Sequence, residues 1–286
     1  MKNFITRTIS GTLFLAIMIG AILWSVHAFW ILSCIIVVLG MIEFFKMTIP
    51  KGHELQKIIS IFIGLSVLLL MSVNNVFDDF QVINLLFGIH TLIILIVGLF
   101  TVIPIVELYE KSEKPFHNIS LLILPIIYVA LPFALMNLCY SEGHNLYILA
   151  FFIFIWTNDV GAYCFGMLFG QHGKHKFFPR ISPKKTWEGF IGGIITVIIA
   201  GVLISKFMFD GNNMHHWIII AIITSVLGTF GDLVESMMKR SAGVKDSGKI
   251  MPGHGGILDR FDAVLLSFPT VFTYIFVFNL YSGFNI

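Results

Sequence analysis

The chain has 286 residues, 57% of them hydrophobic and only 12% charged, with a formal net charge of +2 and a mean hydropathy of +0.91. Soluble domains carry about 25% charged residues, so this chain has too few charges to coat a water-facing surface, too much apolar character for disorder, and too little net positive charge to imply nucleic acid. Its three cysteines, Cys34, Cys139 and Cys164, are an odd number and two of them lie inside apolar runs, which excludes a disulfide-stapled secreted domain. What remains is an all-α polytopic membrane protein whose few charges are the informative residues.

A helix needs about 20 mostly apolar residues to cross the hydrocarbon core. Nine runs are predicted to do so: 8–26, 28–45, 58–73, 81–106, 118–138, 146–169, 189–207, 216–235 and 263–281. The first two are separated by almost nothing, which predicts a tight hairpin. The third is short. The fourth is long and carries Pro104 near its end, which predicts a tilt or kink. The runs are continuous rather than alternating, unlike barrel strands. Lys2, Arg7 and the stretch Val26-His27-Ala28 loosely resemble a cleavable leader. The length of the run, and the second run behind it, favour an uncleaved first helix. No internal repeat is visible. Residues 1–138 read as a supporting membrane part that could carry oligomer contacts, and 139–286 as the catalytic membrane part.

Basic residues set the orientation. The N-terminal tail, 46–57, 107–117, 170–188 and 236–262 together hold every Lys and Arg except Lys206. Basic residues accumulate on the cytoplasmic side, so nine spans with the N-terminus inside give a clean separation.

Several acids then fall where acids are costly. Asp159 interrupts the sixth span, 13 residues in from Leu146, or ~20 Å along a helix. Asp232 and Glu235 end the eighth span, Asp259 and Asp262 open the ninth, and Asp246 lies in the loop between them. All would converge on one membrane face. Each has a plain structural alternative. Asp259 could cap its helix, and Asp232, Glu235, Ser236 and Lys239 could be ordinary end-of-helix polar pairs. As a set they would repel one another, and clustered carboxylate oxygens suit Mg²⁺ together with substrate phosphates.

The same face carries cations. Loop 170–188 has Lys174, Lys176, Arg180, Lys184 and Lys185, and loop 236–262 has Lys239, Arg240, Lys245, Lys249 and Arg260. Lys174, Lys176 and Lys249 need no role beyond orientation. Gly243, Gly248, Gly253, Gly255 and Gly256 give the second loop a backbone that can approach an anion closely. Carboxylates for metal, cations for phosphate and flexible backbone read together as a phosphoryl or nucleotidyl transfer site. A secondary transporter would also carry membrane-depth acids, but at the midplane and with inverted repeats.

The stretch from Ser236 to Asp262, containing Lys239-Arg240, Lys245-Asp246 and Pro252-Gly-His-Gly-Gly-Ile-Leu-Asp-Arg-Phe-Asp262, resembles the signature of the phosphatidate cytidylyltransferase family, also called CDP-diacylglycerol synthases. Ser182-Pro-Lys-Lys-Thr-Trp-Glu-Gly189, Asp159-Val-Gly-Ala-Tyr-Cys-Phe-Gly166 and Gly231-Asp-Leu-Val-Glu-Ser236 are similar to further family segments, and Met251 is a conservative departure. The resemblance implies transfer of CMP from CTP to phosphatidic acid in phospholipid biosynthesis, in a bacterial plasma membrane with the active site facing the cytoplasm. It implies Mg²⁺ and a possible homodimer, and leaves open whether a second cation such as K⁺ takes part. Asp232, Asp259 and Asp262 are the expected metal ligands. Asp246, Lys239 and Arg240 join them as expected catalytic residues. Ser182, Lys184, Lys185, Lys245, His254, Gly255, Gly256, Arg260 and Asp159 are the expected substrate and phosphate binders.

The orientation is directly testable. In a background without native cysteines, single cysteines in 74–80, 139–145 and 208–215 should react with an impermeant thiol reagent from outside intact cells, and those in 51–57, 111–117 and 174–180 should not. Strong outside labelling at 174–180 would overturn the nine-span reading.

Overall fold

The computed structural model describes residues 2–49, 52–76, 90, 91, 93, 95, 97–110, 112–140, 145–170, 175–251, 253 and 255–282. The chain is a membrane protein of apolar helices: α1 (Lys2–Trp24), α2 (Val26–Thr48), α3 (Glu54–Val76), α4 (Gly98–Tyr109), α5 (Pro115–Cys139), α6 (Asn145–Phe169), α7 (Trp187–Met208), α8 (Met214–Ser241) and α9 (Leu258–Ser282). Among the described residues, eight of these are long and apolar enough to cross a membrane, and α4 is shorter. Of the predicted fourth span, 81–106, residues 81–89, 92, 94 and 96 lie outside the described residues.

The α1–α2 hairpin turns on one residue, Ser25, whose hydroxyl accepts the Ala28 N–H at 3.1 Å and caps α2. Two helices are widened into π turns, over Gly98–Val102 in α4 and Ile126–Ala130 in α5. Each lies just ahead of a proline, Pro104 or Pro132. A proline ring collides with the carbonyl four residues back, and a wider turn relieves that collision.

The chain divides into two compact units, Met1–Glu142 with Asp246–Arg260, and Gly143–Lys245 with Phe261–Ile286. In the first, Phe29, Val37, Met41 and Phe44 of α2 are buried with Ile63 and Leu68 of α3 and Phe133 and Ala134 of α5. Polar ties cross between its helices. The Asn137 amide donates to Ser33 Oγ at 2.9 Å, and Tyr140 donates to the Ile22 carbonyl at 2.8 Å.

In the second unit, α6 and α7 approach closely through small residues. A Cβ at Gly192 would strike the Phe165 ring, one at Gly161 would strike Thr196, and one at Gly193 would strike the Asn158 amide. The Asn158 side chain is buried and its Oδ1 accepts the Ser225 hydroxyl of α8 at 2.6 Å. Such packing is how helices associate where no hydrophobic force separates them from lipid.

Two features correct the sequence reading. The hydropathy of the eighth span stops at residue 235, but α8 continues to Ser241, so Ser236, Lys239 and Arg240 are helical rather than in a loop. Backbone hydrogen bonding continues after the apolar run ends, and Lys239 and Arg240 favour the negative end of a helix. The helix stops at Gly243, whose φ of 71° supplies the left-handed stop. Similarly, loop 170–188 contains a short antiparallel hairpin, β1 (Lys176–Phe178) and β2 (Ser182–Thr186). Phe177 anchors it between Trp187 and Phe190, at ring distances of 4.6 and 4.8 Å. Strands of three and five residues rich in lysine leave no alternating pattern to read.

Gly192→Leu should cost about 1–3 kcal/mol through overpacking at Phe165. A lowered thermal midpoint in detergent checks it; an unchanged midpoint would show that α6 and α7 have slack here.

Candidate functional site

The second unit brings three acids together. Asp232, Glu235 and Asp262 each offer a carboxylate oxygen, and these lie within 4.8 Å of one another. The approach depends on Gly231, because a Cβ there would strike the Asp262 carbonyl of α9. Two lysines are already on this group. Lys239 Nζ donates to Glu235 Oε2 at 2.7 Å, one helical turn away, and Glu235 is fully buried. Lys185 Nζ lies 2.7 Å from Asp232 Oδ2 and donates to the Thr229 carbonyl at 3.2 Å. Ser236 Oγ donates to Asp232 Oδ1 at 3.2 Å, and Asp262 Oδ1 accepts the Ala263 N–H at 2.7 Å.

The hairpin decides which lysine reaches the acids. Neighbouring strand residues point to opposite faces, so Lys185 turns toward Asp232 while Lys184 is exposed. Thr186 ends the strand and caps α7, its hydroxyl accepting the Gly189 N–H at 3.2 Å. Ser182 is half-buried on β2, opposite Phe178. Asp159 is exposed on α6. Arg240 and Lys245 are exposed, and Arg240 Nη1 donates to the Val244 carbonyl at 3.1 Å.

The segment Asp246–Arg260 belongs to the first unit. There Asp259 Oδ2 accepts three donors: the Ser247 N–H at 2.9 Å, the Ser247 hydroxyl at 2.9 Å and the Gly256 N–H at 2.7 Å. Asp259 lies in the first turn of α9 and reaches back, tying both ends of the loop to itself. Gly253 and Gly255 have φ of 77° and 90°, a region glycine reaches without strain, and Met251 N–H donates to the Gly255 carbonyl at 3.0 Å. Asp246, Lys249 and Arg260 are exposed, and Gly256 is buried. His254 and Lys174 lie outside the described residues.

Among the described residues, then, the acids grouped closely enough to hold a metal ion are Asp232, Glu235 and Asp262. Glu235 reads in the sequence as a residue at the same helix end, and its place in the group comes from its turn on α8. A second acid escaped the sequence reading altogether. Glu43 of α2 is 1% exposed, and its Oε2 accepts the Leu258 N–H at 3.0 Å and the Ser247 hydroxyl at 3.1 Å. Its signal is available in the sequence: an acid within the predicted span 28–45.

The donors of the acidic group are hard carboxylate oxygens, which fit Mg²⁺. The same site offers lysines that suit phosphate.

The cytidylyltransferase family matches residues 5–278. A Staphylococcus epidermidis relative named phosphatidate cytidylyltransferase is 34% identical over 263 residues, covering 92% of this chain and 95% of the relative. Relatives of the same name from Staphylococcus haemolyticus and Staphylococcus saprophyticus are 44% and 45% identical over 160 residues, which is 56% of this chain and only 60% of each relative. On a match that runs almost from end to end, the chain belongs to the cytidylyltransferase family.

Proposed function

We propose that the chain is a phosphatidate cytidylyltransferase that transfers CMP from CTP to phosphatidic acid, giving CDP-diacylglycerol and pyrophosphate, at the cytoplasmic face of a bacterial plasma membrane. One observation carries the reading: three carboxylates within 4.8 Å of one another, with Lys185 and Lys239 on two of them, in a chain of the cytidylyltransferase family.

An oxygen of the lipid phosphate attacks the α-phosphorus of CTP and forms the new P–O bond. The bond from that phosphorus to the bridging oxygen of the β-phosphate breaks, and pyrophosphate leaves with the electron pair. The nucleophile is already an anion, so no side chain has to remove a proton. Catalysis then rests on positioning and charge neutralisation. Asp232 and Asp262, with Glu235 beside them, would hold Mg²⁺, which supplies positive charge to the phosphate oxygens. Glu235 holds Lys239 in place through the contact at 2.7 Å. Lys185, standing on Asp232 and the Thr229 carbonyl, offers its ammonium to a phosphate that enters there. Lys184, Arg240, Lys245, Arg260, Ser182, His254, Gly255 and Gly256 are further candidates for phosphate by their chemistry. Asp246, Asp159 and Asp259 are candidates for orienting those groups.

The purified protein, given labelled CTP, phosphatidic acid and Mg²⁺, should release label into a chloroform-soluble product; none there would overturn the reading. Asp262→Asn keeps the shape but removes a ligand charge, so turnover should fall by orders of magnitude, because metal charge is worth several kcal/mol to the transferring group. Its thermal midpoint should hold. Lys185→Ala should be nearly inactive, whereas Lys176→Ala, a residue needed only for orientation, should keep most activity.

Lys239→Met makes a different prediction. It leaves the buried Glu235 without its ammonium, and breaking a buried pair costs about 3–5 kcal/mol. Its loss should therefore appear in thermal stability as well as in turnover, and an unchanged midpoint would show that the pair does not hold the helix end.

A further inference from the structure

We propose that Glu43 is a positioning residue: a buried carboxylate on α2 that holds the loop 246–257 through the Ser247 hydroxyl and the Leu258 N–H. The link to turnover rests on the proposed function, because it takes this loop to act on substrate; the hold on the loop does not.

Glu43 lies inside a predicted span and is 1% exposed. A carboxylate there is costly unless hydrogen bonds or cations compensate it. Among the described residues it forms no ion pair with a lysine or arginine. Its compensation comes from Ser247 and Leu258, 204 and 215 residues away in the chain. Leu258 opens α9, and its N–H is one of the helix-end donors with no partner inside the helix. A carboxylate suits that end electrostatically as well.

The loop backbone is shaped around this group. A Cβ at Gly248 or at Gly256 would strike the Glu43 carboxylate. Larger residues at either position would push the loop off α2. The single proton of the Ser247 hydroxyl is shared between two carboxylates, 3.1 Å from Glu43 Oε2 and 2.9 Å from Asp259 Oδ2. The two acids divide the task. Asp259 gathers the ends of the loop onto α9, and Glu43 fastens that base to another helix. Arg7 of α1 adds a tie near the tip, its Nε donating to the Gly253 carbonyl at 2.7 Å. Glu43 thus acts on the loop by hydrogen bonds to its base.

The test measures loop order and turnover on the same protein. In Glu43→Ala, amide hydrogen exchange should speed up at 246–258 and stay unchanged along α3. Misplacing groups that hold substrate can cost about a hundredfold, so kcat/KM for CTP should fall on that scale, with KM rising. Glu43→Gln keeps an acceptor for the Leu258 N–H and should recover much of both losses. Glu54→Ala, at an exposed glutamate paired with Lys57, should change neither. If Glu43→Ala fails to accumulate, Glu43→Asp, which keeps a carboxylate but shortens its reach to the Ser247 hydroxyl and the Leu258 N–H, should show the same local exchange. Unchanged exchange at 246–258 in a folded Glu43→Ala protein would overturn the proposal. Faster exchange spread equally over α2 and α3, with no rescue by Glu43→Gln, would also overturn it and make Glu43 a support of the bundle. A wild-type protein inactive toward CTP and phosphatidic acid would sink the proposed function, while exchange at 246–258 would still decide the Glu43 contact.

Discussion

A carboxylate inside an apolar helix bundle has to be compensated on the spot, and the two units of this chain do so by different chemistry. Glu235 is fully buried and takes an ammonium, Lys239 Nζ, at 2.7 Å from its own helix. Glu43 is almost as buried and takes a helix-end N–H and a hydroxyl from a distant loop. The first solution keeps positive charge at one place on α8. The second fastens a segment that has little apolar surface of its own. Each uses the energetic demand of a buried acid to fix something else in place.

Close backbone approach is the second requirement. Asp232 and Asp262 sit on different helices, and their carboxylates share a site because Gly231 lets α8 press against the Asp262 carbonyl. Gly248 and Gly256 do the same for the loop around Glu43. Gly161, Gly192 and Gly193 do it for α6 against α7. In lipid, where apolar side chains gain little by leaving their surroundings, such contacts and interhelical hydrogen bonds supply most of the specificity of packing. The glycines of the signature therefore serve the positions of the acids as much as any approach to an anion.

This division explains what could be read from the sequence. The helices were legible because apolar length alone betrays a span. Asp232 and Asp262 were legible because acids at such positions are costly and so stand out. Glu43 obeys the same rule, but it is a single acid with no like neighbour in its span, and its partners are more than 200 residues away. The hairpin was not legible, because its strands owe their position to Phe177 packing among aromatic rings rather than to a pattern of their own. The end of α8 was misplaced because hydropathy marks where a helix leaves apolar surroundings, whereas hydrogen bonding and Gly243 mark where it stops.

The two lysines on the acidic group differ in what they can do, and exposure separates them. The Lys239–Glu235 pair has side chains 10% and 0% exposed, and the Lys185–Asp232 pair 25% and 38%. A solvent-screened pair is worth about 0–1 kcal/mol, whereas separating a buried one costs several. Lys239 is therefore held in place at the helix end. Lys185 sits next to the end of its strand and holds Asp232 weakly, so under the proposed function it would exchange that carboxylate for a phosphate at little cost. The adjacent Lys184, on the opposite face of the strand, has no such exchange to make.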